Sequence, residues 1–134
     1  MNQLIPIMGA TALLGSALIG GVFFAFSSFV MKALARVPSS EGIAAMQSIN
    51  VVVINPSFLA AFIGTAVLSL GVIGVALLRW SHPSAIFFLG GAVCYIVGTF
   101  LFTMFGNVPL NNRLATASAT DPATRDMWDD YLDR

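Results

Sequence analysis

Residues Ser84–Leu114 are SAIFFLGGAVCYIVGTFLFTMFGNVPLNNRL, an apolar run followed by a polar group. The part up to Gly106 has no charged residue and is long enough for one membrane-spanning helix, which needs about 20 apolar residues at 1.5 Å each. The run then ends in three carboxamides and one guanidinium. We therefore predict a span over residues 84–106 with a dense polar group at its exit, formed by Asn107, Asn111, Asn112 and Arg113.

The composition places the whole chain in the same class. Hydrophobic residues make up 57% of the chain and charged residues only 9%, whereas a soluble domain carries about 25% charged residues. The formal net charge is zero, which gives no basic surface for nucleic acid. With one histidine and one cysteine, far apart in the sequence, we expect no metal site and no cofactor held by protein ligands.

Two further uncharged runs predict two more spans, over residues 4–31 and 56–78. The first run lacks the basic start and short apolar core of a cleavable signal, so we expect it to be retained as a span. Asn55-Pro56 separates span two from a preceding helix, since Asn caps helices and Pro suits their first position. The alternative is one long helix kinked at Pro56.

Two shorter segments predict interfacial helices, at residues 41–54 and 122–133. Ser39, Ser40 and Glu41 mark the start of the first, and Asp121-Pro122 marks the start of the second. The predicted fold is therefore an all-α, integral membrane helical bundle with three transmembrane spans plus these two interfacial helices. We expect residues 1–134 to form a single membrane domain.

Three antiparallel crossings bring the end of span one, the start of span two and the end of span three to one side. Two interpretations of the polar residues there stay open. They form a structural network that ties helix ends together, which the residues alone favour, or a polar mouth over an aromatic pocket. The excess of basic residues predicts that this side is cytoplasmic. The residues gathered there are Phe26, Ser27, Ser28, Asn50, Asn55, Asn107, Asn111, Asn112 and Arg113.

Four stretches carry a resemblance to a known family. They are GVFFAFSSFVMKAL (Gly21–Leu34), MQSINVVVINPSF (Met46–Phe58), NVPLNNRLA (Asn107–Ala115) and WDDYL (Trp128–Leu132). In these the chain resembles the anthrone oxygenase-like family of small integral membrane proteins, of which the Asn-x-Pro-x-Asn exit is the most specific part. Members of that family generally continue into a fourth span that opens with an Asn-His-Arg motif. The sequence ends at Arg134, so we expect the fourth span to be absent here.

The resemblance implies an oxidoreductase, a monooxygenase that acts on flat polyketide anthrones with dioxygen and without a cofactor. Such chemistry needs a base, donors for an oxyanion and a dry aromatic pocket. No convincing base is visible, because Glu41 is the only acidic residue before the C-terminal helix. We expect Asn107, Asn111 and Arg113 to be catalytic. The expected substrate-binding residues are Phe23, Phe24, Phe26, Ser27, Asn50, Asn55 and Asn112.

A second hypothesis is a non-catalytic membrane protein: a binder of lipid or a small ligand, or a subunit packed through its glycines. A transporter is a weaker third hypothesis, because no ion relay is apparent in the spans. The expected partners are the lipid bilayer of the cell membrane, a small aromatic substrate and further copies of the chain, with no nucleic acid. The chemistry of the polar exit distinguishes these hypotheses, since only the first makes turnover depend on its carboxamides.

Overall fold

The computed structural model describes residues 4–133, and within that range the chain is built from helices joined by short turns. Two long helices contain π-helical segments, at Phe26–Val30, Cys94–Leu101 and Thr103–Asn107. The α-helices are α1 (Leu4–Ala25), α2 (Met31–Leu34), α3 (Ser39–Val52), α4 (Pro56–Leu78), α5 (Ala85–Val93), α6 (Val108–Ala115) and α7 (Pro122–Leu132).

Within residues 4–133, three helices are long and apolar enough to cross a membrane: Ile5–Leu34, Pro56–Leu78 and Ala85–Ala115. The predicted class, a helical membrane protein with three spans, is confirmed. The third helix does not stop at Gly106, however, and the Asn-rich segment continues it as α6. Pro109 lies at the start of α6, directly after the π-helical segment Thr103–Asn107. A 31-residue helix is about 46 Å long, well beyond the roughly 30 Å hydrocarbon core.

The helix starts show which local signals were reliable. Helix α4 begins at Pro56 after a break that follows Val52, so the alternative of one long kinked helix is wrong. Asp121 caps α7 as predicted, accepting from the backbone N–H of Ala123 at 2.9 Å. The predicted serine cap of α3 is wrong. Pro38 occupies the N-cap position without a side-chain bond, because the helix already begins at Ser39.

The described chain divides into two compact units. The first comprises the chain up to Gly21 together with Pro56–Thr103. Its centre is the buried face of α4, where the Tyr95 hydroxyl donates to the Phe62 carbonyl at 3.0 Å. Helix α1 approaches this face closely at Gly15, where a Cβ atom would collide with the Thr65 hydroxyl. The small residue thus sets the distance between two apolar helices.

The second unit comprises Val22–Asn55 and the chain from Met104 onward. Its core contains Ile43, Met46, Leu114 and Trp128, and Trp128 is only 1% exposed. Burial of such side chains stabilises a fold by about 1.5–3 kcal/mol each. Helices α3 and α7, predicted as separate interfacial helices, are thus packed against α6 through one core. That residues 1–134 form a single domain stays a prediction.

Candidate functional site

All ten residues predicted for the site belong to the second unit, and their roles stay a prediction. They differ in exposure. Phe26, Asn50, Asn107 and Asn111 are half-buried, whereas Asn112 and Arg113 are exposed. The full set is Phe23, Phe24, Phe26, Ser27, Asn50, Asn55, Asn107, Asn111, Asn112 and Arg113.

Two of the predicted carboxamides meet at a phenol on α7. The Tyr131 hydroxyl donates to Asn111 Oδ1 at 2.7 Å, and the Asn50 amide lies beside the same hydroxyl. The Asn50 Nδ2 atom is buried and finds no acceptor in hydrogen-bond geometry among residues 4–133. A buried donor without a partner costs about 1–3 kcal/mol. Such groups in a folded protein require an explanation, and a ligand is one.

The environment of Tyr131 decides its protonation state. Burial raises the pKa of the phenol, and the nearby Asn50 amide, which favours the phenolate, opposes that rise without cancelling it. Because an unperturbed tyrosine has a pKa of about 10, Tyr131 is protonated at neutral pH. It therefore acts as a hydrogen-bond donor and not as a base.

Aromatic rings pack on one side of this cluster. Trp128 and Tyr131 stack with ring centroids 5.5 Å apart and an interplanar angle of 15°. Phe26 packs against the core that contains Trp128. Phe23 is half-buried, but Phe24 is 69% exposed and faces away from the core. Of the three phenylalanines expected to bind substrate, Phe26 is the one that packs against this core.

Other predicted residues make local bonds of a structural kind. The Ser27 hydroxyl donates to the Phe23 carbonyl at 2.9 Å, a bond that serines commonly make within helices. The Asn55 amide donates to the Val52 carbonyl at 3.0 Å and so satisfies the end of α3. Asn107 stands at the N-cap position of α6 but makes no capping bond with its side chain.

Two residues of the cluster were missed by the sequence argument. Gln47 donates to the carbonyls of Leu114 at 2.8 Å and Ala117 at 2.9 Å, which fastens α3 to the end of α6. The sequence argument placed Tyr131 only within the interfacial helix predicted at residues 122–133. The signal for both was their spacing, since Gln47 and Asn50, like Trp128 and Tyr131, are three residues apart and share a helix face.

Sequence comparison bears on the identity of the chain once this geometry is described. The fold defines a helical membrane protein with three candidate spans among the described residues. It also has a half-buried carboxamide–phenol cluster of Asn50, Asn111 and Tyr131, contributed by α3, α6 and α7. The chain belongs to the anthrone oxygenase family, whose family model matches residues 56–132. This match includes Asn107–Ala115 and Trp128–Leu132 but not Gly21–Leu34. No curated protein and no solved structure matches the chain.

Proposed function

We propose that the chain oxidises flat, acidic aromatic substrates of the anthrone class with dioxygen, at the carboxamide–phenol cluster of the second unit. The observation that carries this proposal is the family match over residues 56–132. That segment supplies Asn111 and Tyr131, while Asn50 comes from α3. The unpartnered Asn50 Nδ2 supports the choice of site, because a substrate oxygen would give this donor the acceptor that it lacks.

The proposed reaction balances without an external reductant. Loss of a proton from the anthrone CH2 group leaves an anion whose charge rests largely on the ketone oxygen. This anion reacts with dioxygen to form a hydroperoxide, which loses water to give the quinone. One oxygen atom enters the product and the other leaves as water, so the reaction is a monooxygenation. The four electrons that reduce O2 all come from the substrate carbon, so no other reductant is needed.

The residues have distinct roles in this proposal. Asn50 Nδ2 donates to the developing oxyanion, while the Tyr131 hydroxyl donates its one proton to Asn111 Oδ1 and so holds Asn111 beside Asn50. Phe26 and Phe23 stack on the substrate rings. Stabilising the oxyanion lowers the pKa of the bound substrate, so that solvent can accept the proton. The exposed side chains of Asn112 and Arg113 contact the hydroxyl groups of the substrate as the substrate enters the site. Asn107, at the start of the same helix, is the third residue in this entry region.

Oxygen uptake by the purified protein in detergent, with anthrone as substrate, tests the proposal. Loss of one oxyanion donor typically lowers kcat by about 10²–10³-fold, and we expect at least the lower figure for Asn50→Leu. Asn107→Ala is expected to lower the rate, and Ser48→Ala, an exposed change on the same helix as Asn50, is expected to leave it unaltered. Uptake no faster than in buffer for the wild-type protein would remove the hypothesis.

A non-catalytic role is favoured by a different set of contacts. The bonds of Gln47, Asn55 and Ser27 go to backbone carbonyls, as in a network that only ties helix ends together. Under this alternative, substitutions of Asn111 lower the free energy of unfolding and no oxygen is consumed. Measuring stability and uptake on the same preparations separates the two functions.

The charge distribution supports a proposed orientation in a cell membrane. Lys32, Arg36 and Arg125 occur in the second unit, as does Arg113, whereas Arg79 is the only such residue of the first. Basic residues near the ends of spans favour the cytoplasmic side. We infer that the carboxamide–phenol cluster faces the cytoplasm.

A further inference from the structure

The first unit contains a cleft that the proposed reaction does not use. Its volume is about 390 Å³, and it lies where the beginning of α1 meets the connection between α4 and α5. None of the ten predicted site residues lines it. Its apolar wall includes Ile5, Met8, Val72, Ala76 and Phe88, and its polar end is formed by Arg79, His82 and Ser84.

Close helix packing fixes the walls of this cleft. A Cβ atom at Gly9 would lie 2.6 Å from Phe88 Cε1, and one at Gly71 would lie 2.9 Å from Met8 Cε. Real Cβ atoms do not approach so closely, so both wall side chains occupy space that only glycine leaves free. The wall side chains Phe88 and Met8 are therefore held in place by close packing against the glycines of neighbouring helices.

The polar end presents a cation with no acidic partner in its own unit. Arg79 is the only formally charged side chain in residues 1–21 and 56–103, a sequence range without Asp or Glu. It is exposed at the end of α4. An arginine at the edge of an apolar cleft favours an acidic group there, since its guanidinium offers several donors to a carboxylate or phosphate.

His82 provides a second donor whose direction is fixed. The Ser84 backbone N–H donates to His82 Nδ1 at 3.3 Å, and the Ser84 hydroxyl lies 2.7 Å from the same nitrogen. A backbone N–H can only donate, so Nδ1 is an acceptor and the proton of the neutral ring is on Nε2. The ring thus keeps an N–H for a ligand at the polar end of the cleft.

We propose that this cleft binds a single-chain lipid acid, with its acyl chain along the apolar wall and its carboxylate between Arg79 and His82. The lining matches such an amphiphile, apolar along one side and cationic at the end. The volume is near the lower end of the roughly 300–1,000 Å³ typical of ligand sites. It therefore suits one acyl chain rather than the two chains of a phospholipid.

Photolabelling of the full chain tests this proposal. A palmitate probe that carries a diazirine is added to the protein in phosphatidylcholine nanodiscs, and the labelled peptides are mapped by mass spectrometry. We expect saturable labelling in residues 72–88, displaced by excess palmitate and at least tenfold less well by methyl palmitate. Displacement by phosphatidylglycerol at the same concentration as palmitate would show a phospholipid site and overturn the proposal.

Two substitutions localise the binding. Arg79→Gln, on an exposed side chain, is expected to weaken probe binding at least tenfold, because it removes a charge-assisted hydrogen bond to the carboxylate. Val75→Phe, at a half-buried residue of the wall, is expected to reduce labelling by filling the cleft. Arg36→Gln, on an exposed arginine outside the cleft, is the matched control. Equal labelling of wild type and Arg79→Gln would refute the assignment of the head group.

Discussion

Replacing Asn50 by leucine tests whether the Asn50 side-chain amide binds a ligand or stabilises the fold. The side chains are similar in size, but leucine removes the buried Nδ2 donor that has no acceptor in the described part of the chain. Leaving such a donor unpaired costs about 1–3 kcal/mol, and an apolar group of the same shape avoids that cost. We therefore expect Asn50→Leu to raise the free energy of unfolding by about 1–3 kcal/mol and to lower the rate of oxygen uptake at least about 10²-fold.

The assay for this prediction is thermal unfolding in detergent, followed by tryptophan fluorescence, which changes on unfolding because Trp128 is buried while Trp80 is already exposed. Oxygen uptake is measured on the same samples. For a chain of this size, 1 kcal/mol corresponds to a shift in Tm of roughly 3 °C or more. Ser48→Leu introduces the same residue at an exposed position of α3 and controls for the added apolar side chain. A Tm that falls in Asn50→Leu would refute the reasoning, because it would mean that the amide is paired in the folded protein.

Three further outcomes are expected. Gln47→Leu is expected to lower stability by about 1–3 kcal/mol, since it leaves the carbonyls of Leu114 and Ala117 without their donor; an unchanged denaturation midpoint would contradict the bonds seen here. Because burial raises the pKa of Tyr131, the unfolded chain ionises first as pH rises above about 10. Stability should therefore decline there in denaturation curves from pH 8 to 11.5, and Tyr131→Phe should reduce that decline. With the native thiol removed by Cys94→Ala, a cysteine at Ser118 is expected to react with an impermeant maleimide in inside-out vesicles only, and labelling in right-side-out vesicles would reverse the orientation.

Hydropathy was sufficient to predict the helical class because the spans are long and nearly free of charge. The start of α4 at Pro56 and the cap at Asp121 could be predicted from local chemistry. The end of the third helix could not, since polar residues at a membrane surface continue a helix as readily as they end it. Whether Asn107–Ala115 forms a loop or a helix depends on packing against α3 and α7, which no local pattern encodes.

The sequence could predict that these polar residues fall in one region but not which side chains they would bond. Alternating crossings of a membrane were enough to place Asn50 and Asn111 in one region. The phenol that they share belongs to α7, a segment whose pattern indicated only an amphipathic helix. The Tyr131 phenol bonds to Asn111, which lies 20 residues earlier in the sequence. Such a contact depends on the tertiary fold and not on a local sequence pattern.

The π-helical turn at Thr103–Asn107 affects how this protein can change in evolution. Such turns contain one residue more than an α-helix accommodates, and removing it returns the backbone to the i→i+4 pattern. Because the wide turn absorbs the extra residue, a one-codon deletion there would leave Asn111 near the helix face that meets Tyr131. The same deletion in a regular α-helical stretch would rotate everything downstream by about 100° and move Asn111 off that face. The π-helical turn is thus a position at which relatives can gain or lose a residue and still keep the polar site aligned.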